Sequence, residues 1–381
     1  MISKAEYAVR IEKLASCLRA AGIDGVLLTA ESNIDYFSGF RHHAPWTLFA
    51  RPFFQIISAD GRSALLTHTF LEPEMRRTSV VTDVRTFSHS GDAPVEQLHA
   101  MLRELGITSG KLGMELGYEQ RLGISLNDFQ RLQADLKELT IVDASMLLWG
   151  LRIIKSKAEI ELMRKSAAVT QAAFEAAFSV AKPGMSEIEV ARVCAETMVK
   201  GGAERPGFIL MTSGAGNYGA LSGKPTERKL GRDEMLWIDM GAVMNGYWSD
   251  FCRAAYFGKP SKLVNDAQQI ILDVNAAMID ATRPGLPVRN VAEAAARAFR
   301  TKRHEVNLGS GRIGHGMGLM STEPPHVALY EKTICEEGLV FTIEPRITND
   351  LGVFNCEELL LVTNTGVEVL TTASREITYI Q

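Results

Sequence analysis

The stretch that decides the fold is residues 237–253, WIDMGAVMNGYWSDFCR. An apolar run broken by one acid, Asp239, leads to a Gly and an Asn-Gly pair, and a second extended run follows. This pattern predicts a β-hairpin whose ends carry Asp239 and Asp250. A buried carboxylate is costly unless it is paired, protonated or bound to a cation, so two facing acids favour a divalent metal. At this point an equal alternative is that one of the acids is a turn or edge residue exposed to water.

A second hairpin with the same acid pattern lies near the carboxyl end. The apolar run after Glu337 ends at Glu344, turn residues follow, and residues 353–363 return with Glu357 and Glu358. A Pro-Gly step and a helical pattern precede both hairpins. This repeat predicts two similar halves about a pseudo-twofold axis, which brings the hairpins together. Four carboxylates facing one cavity favour a pair of divalent ions.

A candidate nitrogen ligand, His315, lies between the two hairpins in the sequence GHGMG. The flanking glycines allow close approach of the backbone and leave the imidazole accessible to a partner. A lone histidine is more often structural than ligating, but this one lies inside a repeat that supplies four carboxylates. We therefore interpret His315 as a candidate ligand.

The motifs IDMG, GYWSDFCR, GHGMGL, EPP, FTIEP and LLLVTNTG occur in this order. They are similar to those of the pita-bread metallohydrolases, which include methionine aminopeptidase, prolidase, aminopeptidase P and creatinase, a relative without metals. The resemblance covers nearly the whole chain. It implies two divalent ions (Mn, Zn, Fe or Co) bridged by water or hydroxide, with Glu344 also accepting the proton of the water. The implied ligands are Asp239, Asp250, His315, Glu344 and Glu357.

Two domains are expected, because 381 residues with 46% hydrophobic content are too many for one small core. Residues 32–40, SNIDYFSGF, resemble the amino-terminal domain of prolidase and creatinase, and residues 151–156, LRIIKS, resemble the entry to their catalytic domain. We predict an α/β (α+β) chain. Residues 1–150 form the creatinase/prolidase-like domain, and residues 151–381 form a pita-bread catalytic domain with a pseudo-twofold repeat.

Composition argues against several classes of protein. The formal net charge is −4 without basic runs, so no nucleic-acid partner is expected. No apolar stretch is long enough for a membrane span, and the acidic, amphipathic start is unlike a signal peptide. The five cysteines are odd in number and without paired spacing, which is typical of reduced thiols in a cytoplasmic protein.

Two departures from the resemblance concern the substrate. Peptidases of this type carry two further histidines outside the ligand set, and counting along the motifs places Ser222 and Thr322 at their positions. A hydroxyl donates a hydrogen bond, but it cannot act as a cationic acid near neutral pH. We therefore predict that Ser222 and Thr322 contact the substrate and that ordinary peptides are cleaved poorly; a local misalignment is the alternative.

A third departure concerns an arginine. Arg346 stands where the family usually has glycine, and Asn355 stands where an arginine often precedes the last ligand. The arginine has moved rather than vanished, and its guanidinium is suited to clamp a substrate carboxylate. A surface ion pair is the commoner role of an arginine. His326, after the two prolines, is a further candidate for substrate binding.

The loop RHHAPW, residues 41–46, is the remaining candidate. In prolidase-like dimers the corresponding loop reaches the neighbouring active site. The resemblance thus implies a homodimer in which His42 or His43 replaces the lost imidazoles. Arg41 and Trp46 are of residue types suited to bind a small polar substrate. A solvated loop is the alternative.

These observations predict a metal-dependent hydrolase that cleaves an amide or related C–N bond in a small, non-standard substrate, either a small molecule or a short peptide. The alternatives are an Xaa-Pro dipeptidase or aminopeptidase, a creatinase-like amidine hydrolase or lyase, and a non-catalytic pita-bread binding protein. Five intact ligands argue against the last.

Overall fold

The computed structural model describes residues 2–43, 51–89, 91–304 and 311–381. The chain divides into two compact units, Met1–Arg152 and Ile153–Gln381. Both units combine helices with β-sheet, so the predicted mixed α/β class is confirmed.

The first unit contains a six-stranded sheet. Its strands are β1 (Gly25–Leu28), β2 (Phe54–Ser58), β3 (Ser63–His68), β4 (Asp83–Phe87), β5 (Gly110–Met114) and β6 (Leu139–Asp143). The order is β4-β3-β2-β1-β5-β6, with β1–β2 and β2–β3 antiparallel and the other pairs parallel. Strands β1 and β2 are buried along their whole length, as expected of an apolar strand covered on both faces.

Helices cover this sheet. They are α1 (Lys4–Ala21), α2 (Glu31–Ser38), α3 (Glu72–Thr78), α4 (Val95–Glu104), α5 (Leu126–Asp135) and α6 (Ser145–Arg152). Leu98 of α4 and Leu132 of α5 pack in one core with Leu27 and Ile56 of the sheet. Helix α1 begins after Ser3, whose hydroxyl accepts from the Glu6 amide, and ends at Gly22 in the left-handed conformation.

The second unit contains two larger sheets and a short ladder. The strands are β7 (Arg205–Ser213), β8 (Glu234–Met244), β9 (Tyr247–Trp248), β10 (Phe251–Phe257), β11 (His315–Gly316), β12 (Glu323–His326), β13 (Val340–Ile343), β14 (Arg346–Asn349), β15 (Gly352–Asn355), β16 (Glu358–Val362), β17 (Val367–Val369) and β18 (Thr378–Ile380). One sheet has the order β18-β10-β8-β7, with β9 on β8, and the other has β12-β11-β13-β16-β17. Strands β14 and β15 form the ladder.

Each half of this unit places a helix pair before its sheet. The helices are α7 (Lys157–Val180), α8 (Glu187–Lys200), α9 (Lys262–Ala281) and α10 (Arg289–Thr301). Capping boxes, Ser156 with Glu159 and Ser186 with Glu189, start the first two helices by satisfying their free amides. The order of a helix pair followed by a mainly antiparallel sheet occurs twice, so the predicted repeat is confirmed.

Strand β8 separates two cores. Leu236, Ile238 and Met240 face a core shared with α7 and α8, whereas Met235 and Trp237 face a core shared with α9, α10 and the second sheet. Because side chains alternate along a strand, Asp239 points to the same side as Met235 and Trp237. One acid therefore enters the space between the two halves.

In the described part of the chain, no helix combines the length and the apolar character that a membrane crossing requires.

Candidate metal centre

The first hairpin has the predicted turn. Asn245 and Gly246 adopt positive φ values of 48° and 79°, and Val243 and Met244 pair with Trp248 and Tyr247. The return strand is interrupted after Trp248, and pairing resumes at Phe251. Asp250 lies in this interruption, outside the paired strands.

The interruption brings the two acids of the hairpin into contact. Cys252, rather than Asp250, lies opposite Asp239 in the ladder. The side chains of Asp239 and Asp250 are nevertheless within reach of each other, and the charge of Asp239 helps to raise the pKa of Asp250. Two carboxylates share such a contact only when a proton lies between them, and a cation can take its place.

The second hairpin places its acids at a comparable junction. Ile343 pairs with Glu358 in the second sheet, and Arg346 pairs with Asn355 in the β14–β15 ladder. Glu344 and Glu357 lie between these two pairs, one on each chain segment. Both acids therefore project from the point where the hairpin leaves one sheet and enters another.

The structure distinguishes Glu357 from its neighbour. The carboxylate of Glu358 accepts hydrogen bonds from Arg253 at 2.9 Å and from Arg375 at 3.1 Å, and also from the Thr371 hydroxyl. Arg253 also donates to the backbone oxygen of Glu357 at 2.7 Å. Glu358 is thus committed to a buried network that supports the backbone beside Glu357.

His315 presents one ring nitrogen to the acids. Its Nδ1 lies 3.0 Å from the carbonyl oxygen of Gly316, which can only accept, so Nδ1 carries the proton. Its Nε2 then offers a lone pair and lies 3.6 Å from Asp250 Oδ2 and 3.8 Å from Glu344 Oε1. Gly316 is required here, because a Cβ would lie 2.2 Å from the oxygen of Pro324.

Burial and mutual repulsion dominate the electrostatics. Burial, followed by the charge of Glu344, raises the pKa of Asp239 to about 7. Burial and the neighbouring acids also raise the pKa values of Asp250 and Glu357 well above their usual range. Burial lowers the pKa of His315, which favours the neutral ring that a metal needs.

These residues fit divalent cations. Ligand atoms of Asp250, His315 and Glu357 lie within 4.8 Å of one another. Asp239 Oδ1 is buried and has no hydrogen-bond partner in the described residues. In the same part of the chain, none of the acids Asp239, Asp250, Glu344 and Glu357 forms an ion pair with lysine or arginine. Oxygen donors with one imidazole suit Mn, Fe, Co and Zn.

The predicted substrate contacts differ in their surroundings. His326 is buried, pairs with His315 across β11 and β12, and has ring contacts to Arg312 and Tyr330. Ser222 is exposed and Thr322 is half-buried, and neither forms a hydrogen bond within the described ranges. Arg346 is half-buried on the strand position opposite Asn355.

Two members of the amino-terminal loop have local partners. Arg41 donates to Asp35 at 2.6 Å, and His42 Nδ1 lies 3.3 Å from Glu74 Oε2. His43 is exposed, and Trp46 lies outside the described residues. A role of this loop at an active site remains a prediction.

Sequence reasoning missed Arg312. This half-buried side chain is three residues before His315, and its Nη1 lies 3.2 Å from His326 Nε2. A charged residue inside the glycine-rich stretch GSGRIGHGMG was the available signal.

Comparison with known proteins identifies the family of the chain. The sequence model of metallopeptidase family M24 matches residues 161–364, which is more than half of the chain. The chain belongs to metallopeptidase family M24. The Creatinase/Prolidase N-terminal domain matches residues 10–154 of this M24 protein. The predicted pita-bread family and the prediction of a metal-dependent hydrolase are therefore confirmed.

Similar proteins match over almost their full length. The Xaa-Pro dipeptidase of Pyrococcus furiosus is 28% identical over 372 residues, covering 97% of this chain and 99% of the relative. The structure of the Xaa-Pro dipeptidase from Bacillus anthracis matches with a TM-score of 0.84 and 27% identity, covering 98% of this chain and 100% of that one. A dipeptidase from Pyrococcus horikoshii OT3 matches with a TM-score of 0.83 and 26% identity, covering 97% and 100%.

Proposed function

We propose that this M24 protein is a two-metal hydrolase that cleaves the amide bond of a dipeptide-sized substrate with a free carboxylate. The observation that carries the proposal is the convergence of acids and one imidazole from both halves of the second unit, without a lysine or arginine ion-pair partner in the described residues. Asp239, Asp250, His315, Glu344 and Glu357 would hold the ions. Bound there, the ions would polarise the scissile carbonyl and acidify a water molecule.

Glu344 is suited to move the proton. Its side chain is 23% exposed, compared with 9% for Asp250 and 7% for His315. Glu344 is therefore more accessible to an incoming substrate than Asp250. Glu344 would take a proton from the attacking water and pass it to the leaving amine. The Nδ1–H group of His315 donates a hydrogen bond to the Gly316 carbonyl, and this bond fixes the orientation of the ring.

Arg346 is the proposed carboxylate clamp. It forms no hydrogen bond or ion pair in the described residues, and its charge opposes the rise in the pKa of Asp239. The opposite residue, Asn355, is buried, and its Oδ1 has no partner in the same ranges. A substrate carboxylate on Arg346 and a substrate N–H on Asn355 would satisfy both groups.

The names of the relatives indicate which class of substrate should be tested first. Proteins named Xaa-Pro dipeptidase match over nearly the whole chain, which supports the Xaa-Pro alternative. Ser222 and Thr322 argue for slow turnover of ordinary Xaa-Pro peptides, because neither hydroxyl replaces an imidazole as a cationic acid. We therefore propose a restricted, non-standard substrate within the dipeptide class. A creatinase-like amidine hydrolysis has no separate support from the site.

A peptide panel with metal-loaded enzyme tests this function. We expect cleavage of some dipeptides, lost in Glu344→Gln, and turnover of Ala-Pro about two orders of magnitude below that of a typical peptidase. Turnover is measured by release of free amino acid, with Glu368→Gln as a control outside the site. Cleavage of no dipeptide at all contradicts the proposed function, and rapid cleavage of Ala-Pro contradicts the restricted substrate.

We also propose a cytoplasmic homodimer. The five cysteines are all free, which suits a reducing compartment. The loop that contains His42 and His43 belongs to the first unit, whereas the acids belong to the second. A twofold dimer gives each loop a route to a neighbouring site without a long connection.

A further inference from the structure

Arg312 is a charged group beside the metal centre that the proposed reaction does not yet use. It lies three residues before His315, in the irregular segment that leads into β11. In the described residues its side chain forms one hydrogen bond, to His326, and no ion pair. A half-buried guanidinium has five donors, so most of them remain available to a ligand.

His326 fixes the position of this guanidinium. Arg312 Nη1 donates to His326 Nε2 at 3.2 Å, so in the neutral ring Nδ1 carries the proton and faces the Tyr330 hydroxyl at 3.2 Å. The imidazole is only 7% exposed and is the strand partner of His315. Arg312 is thus attached to the same pair of strands that presents the nitrogen ligand.

Arg312 and Arg346 approach the acids from different segments. Arg312 contacts His326, the strand partner of His315, whereas Arg346 is the strand partner of Asn355, which lies two residues before Glu357. In the described residues neither arginine forms an ion pair with a carboxylate. Each therefore retains donors that a carboxylate can accept in a bidentate contact.

The charges of the centre do not balance with metal alone. Two divalent ions would offset the four carboxylates, and a bridging hydroxide would supply a counter-charge to only one of the two guanidinium groups. Both guanidinium groups are half-buried, so each gains free energy from charged hydrogen bonds when an anion occupies its position. A single carboxylate on Arg346 satisfies only one of them.

We propose that Arg312, positioned by His326, forms a second carboxylate subsite, and that the substrate is a dipeptide-like dicarboxylate. This inference rests on the proposed function. With the terminal carboxylate on Arg346, the subsite near Asp250 and His315 receives the residue on the acyl side of the cleaved bond. That residue carries an acidic side chain, aspartate or glutamate.

Matched substrates test the subsite by kinetics. The comparison uses Glu-Pro against Gln-Pro and Asp-Pro against Asn-Pro, because each pair differs by one charge and almost no volume. We expect kcat/KM to favour the acidic member by tenfold to a hundredfold, about the effect of a charged hydrogen bond. Arg312→Gln should bring this ratio close to one, whereas the exposed Arg297→Gln control should retain it.

A binding measurement separates the subsite from turnover. Calorimetric titration of the metal-loaded protein with glutamate and glutamine should show tighter binding of glutamate, and Arg312→Gln should remove the difference. His326→Gln keeps an acceptor for Arg312 and should preserve the preference, whereas His326→Leu should lose it. Loss in both variants indicates only a packing role for His326 and contradicts its part of the proposal.

The outcomes distinguish the two proposals. Equal kcat/KM for acidic and amide substrates, with equal binding of glutamate and glutamine, contradicts the dicarboxylate subsite while dipeptide cleavage still supports the general function. A glutamate preference without cleavage of any dipeptide supports the subsite as an anion site and contradicts the reaction. A change of metal content in Arg312→Gln with an unchanged ratio assigns Arg312 to charge balance alone and overturns the subsite.

Discussion

At the scale of single residues, Ser222 and Thr322 set the expected limit on peptide cleavage. Ser222 is exposed and Thr322 is half-buried, and neither forms a hydrogen bond in the described part of the chain. A larger side chain at either position therefore breaks no polar contact seen here. Both positions are therefore suited to substitution by the histidines that the family resemblance implies.

The double variant Ser222→His with Thr322→His should raise kcat/KM for Ala-Pro by about tenfold or more. The reason is that an imidazole is a cationic acid near neutral pH, and general acid catalysis typically contributes two to four orders of magnitude. Steady-state kinetics with metal-saturated enzyme measures the change. The matched variant with asparagine at both positions should give no comparable gain, and an equal gain there would show that bulk alone is responsible.

The sequence was informative for residues whose constraints are local. Asn245 and Gly246 both take positive φ values, which these residue types favour, so their turn was predictable from these two residues alone. The local pattern could not show which of the neighbours Glu357 and Glu358 faces the other acids. Glu358 is held by Arg253, which lies on a strand distant in sequence. Arg312 was missed for the same reason, since its partner His326 reaches it only through strand pairing.

At the scale of elements, the first hairpin depends on the close approach of its two strands. A Cβ on Gly241 would lie 1.9 Å from the backbone oxygen of Ser249, the residue before Asp250. The Ser249 hydroxyl in turn accepts from the Ala242 amide at 3.1 Å and contacts Ser166 and Thr170. Helix α7 and strand β8 therefore hold the interruption that carries Asp250.

Gly241→Ala should destabilise the protein by about 1–3 kcal/mol, because the strands must separate to admit the methyl group. It should also lower metal occupancy, since Asp250 moves with Ser249. Chemical denaturation and metal analysis measure the two effects. Gly219→Ala is the control, because a Cβ there meets nothing within 4 Å. Equal stability and metal content in both variants would contradict the role given to this contact.

The interruptions themselves were not predictable from the sequence. The alternation of Met235, Trp237 and Asp239 indicated an extended run, but the breaks after Trp248 and Ile343 depend on which sheet each segment joins. Those choices are set by packing between the halves, and no local preference encodes them. The repeat was predictable because both copies carry the same order of turn residues and acids.

At the scale of the whole molecule, the proposed shared active site makes a prediction about mixed dimers. A loop variant with His42→Ala and His43→Ala should lose turnover but retain metal, and Glu344→Ala should be inactive. Mixing the two should restore part of the activity, because one site of each heterodimer has an intact loop and an intact Glu344. Subunit exchange is verified with tagged chains. Verified exchange without returning activity would show that the sites are not shared.

The most direct test of the account is the metal content of the purified chain after loading with Mn, Zn, Fe or Co and removal of free ions. The wild type should hold about two ions per chain, and Asp250→Ala and Glu357→Ala should each hold fewer, because each of these carboxylates is a proposed ligand. Asp350→Ala, an exposed acid at the tip of the second hairpin, is the matched control and should match the wild type. Equal metal in the wild type, Asp250→Ala and Glu357→Ala would contradict the assignment of the centre.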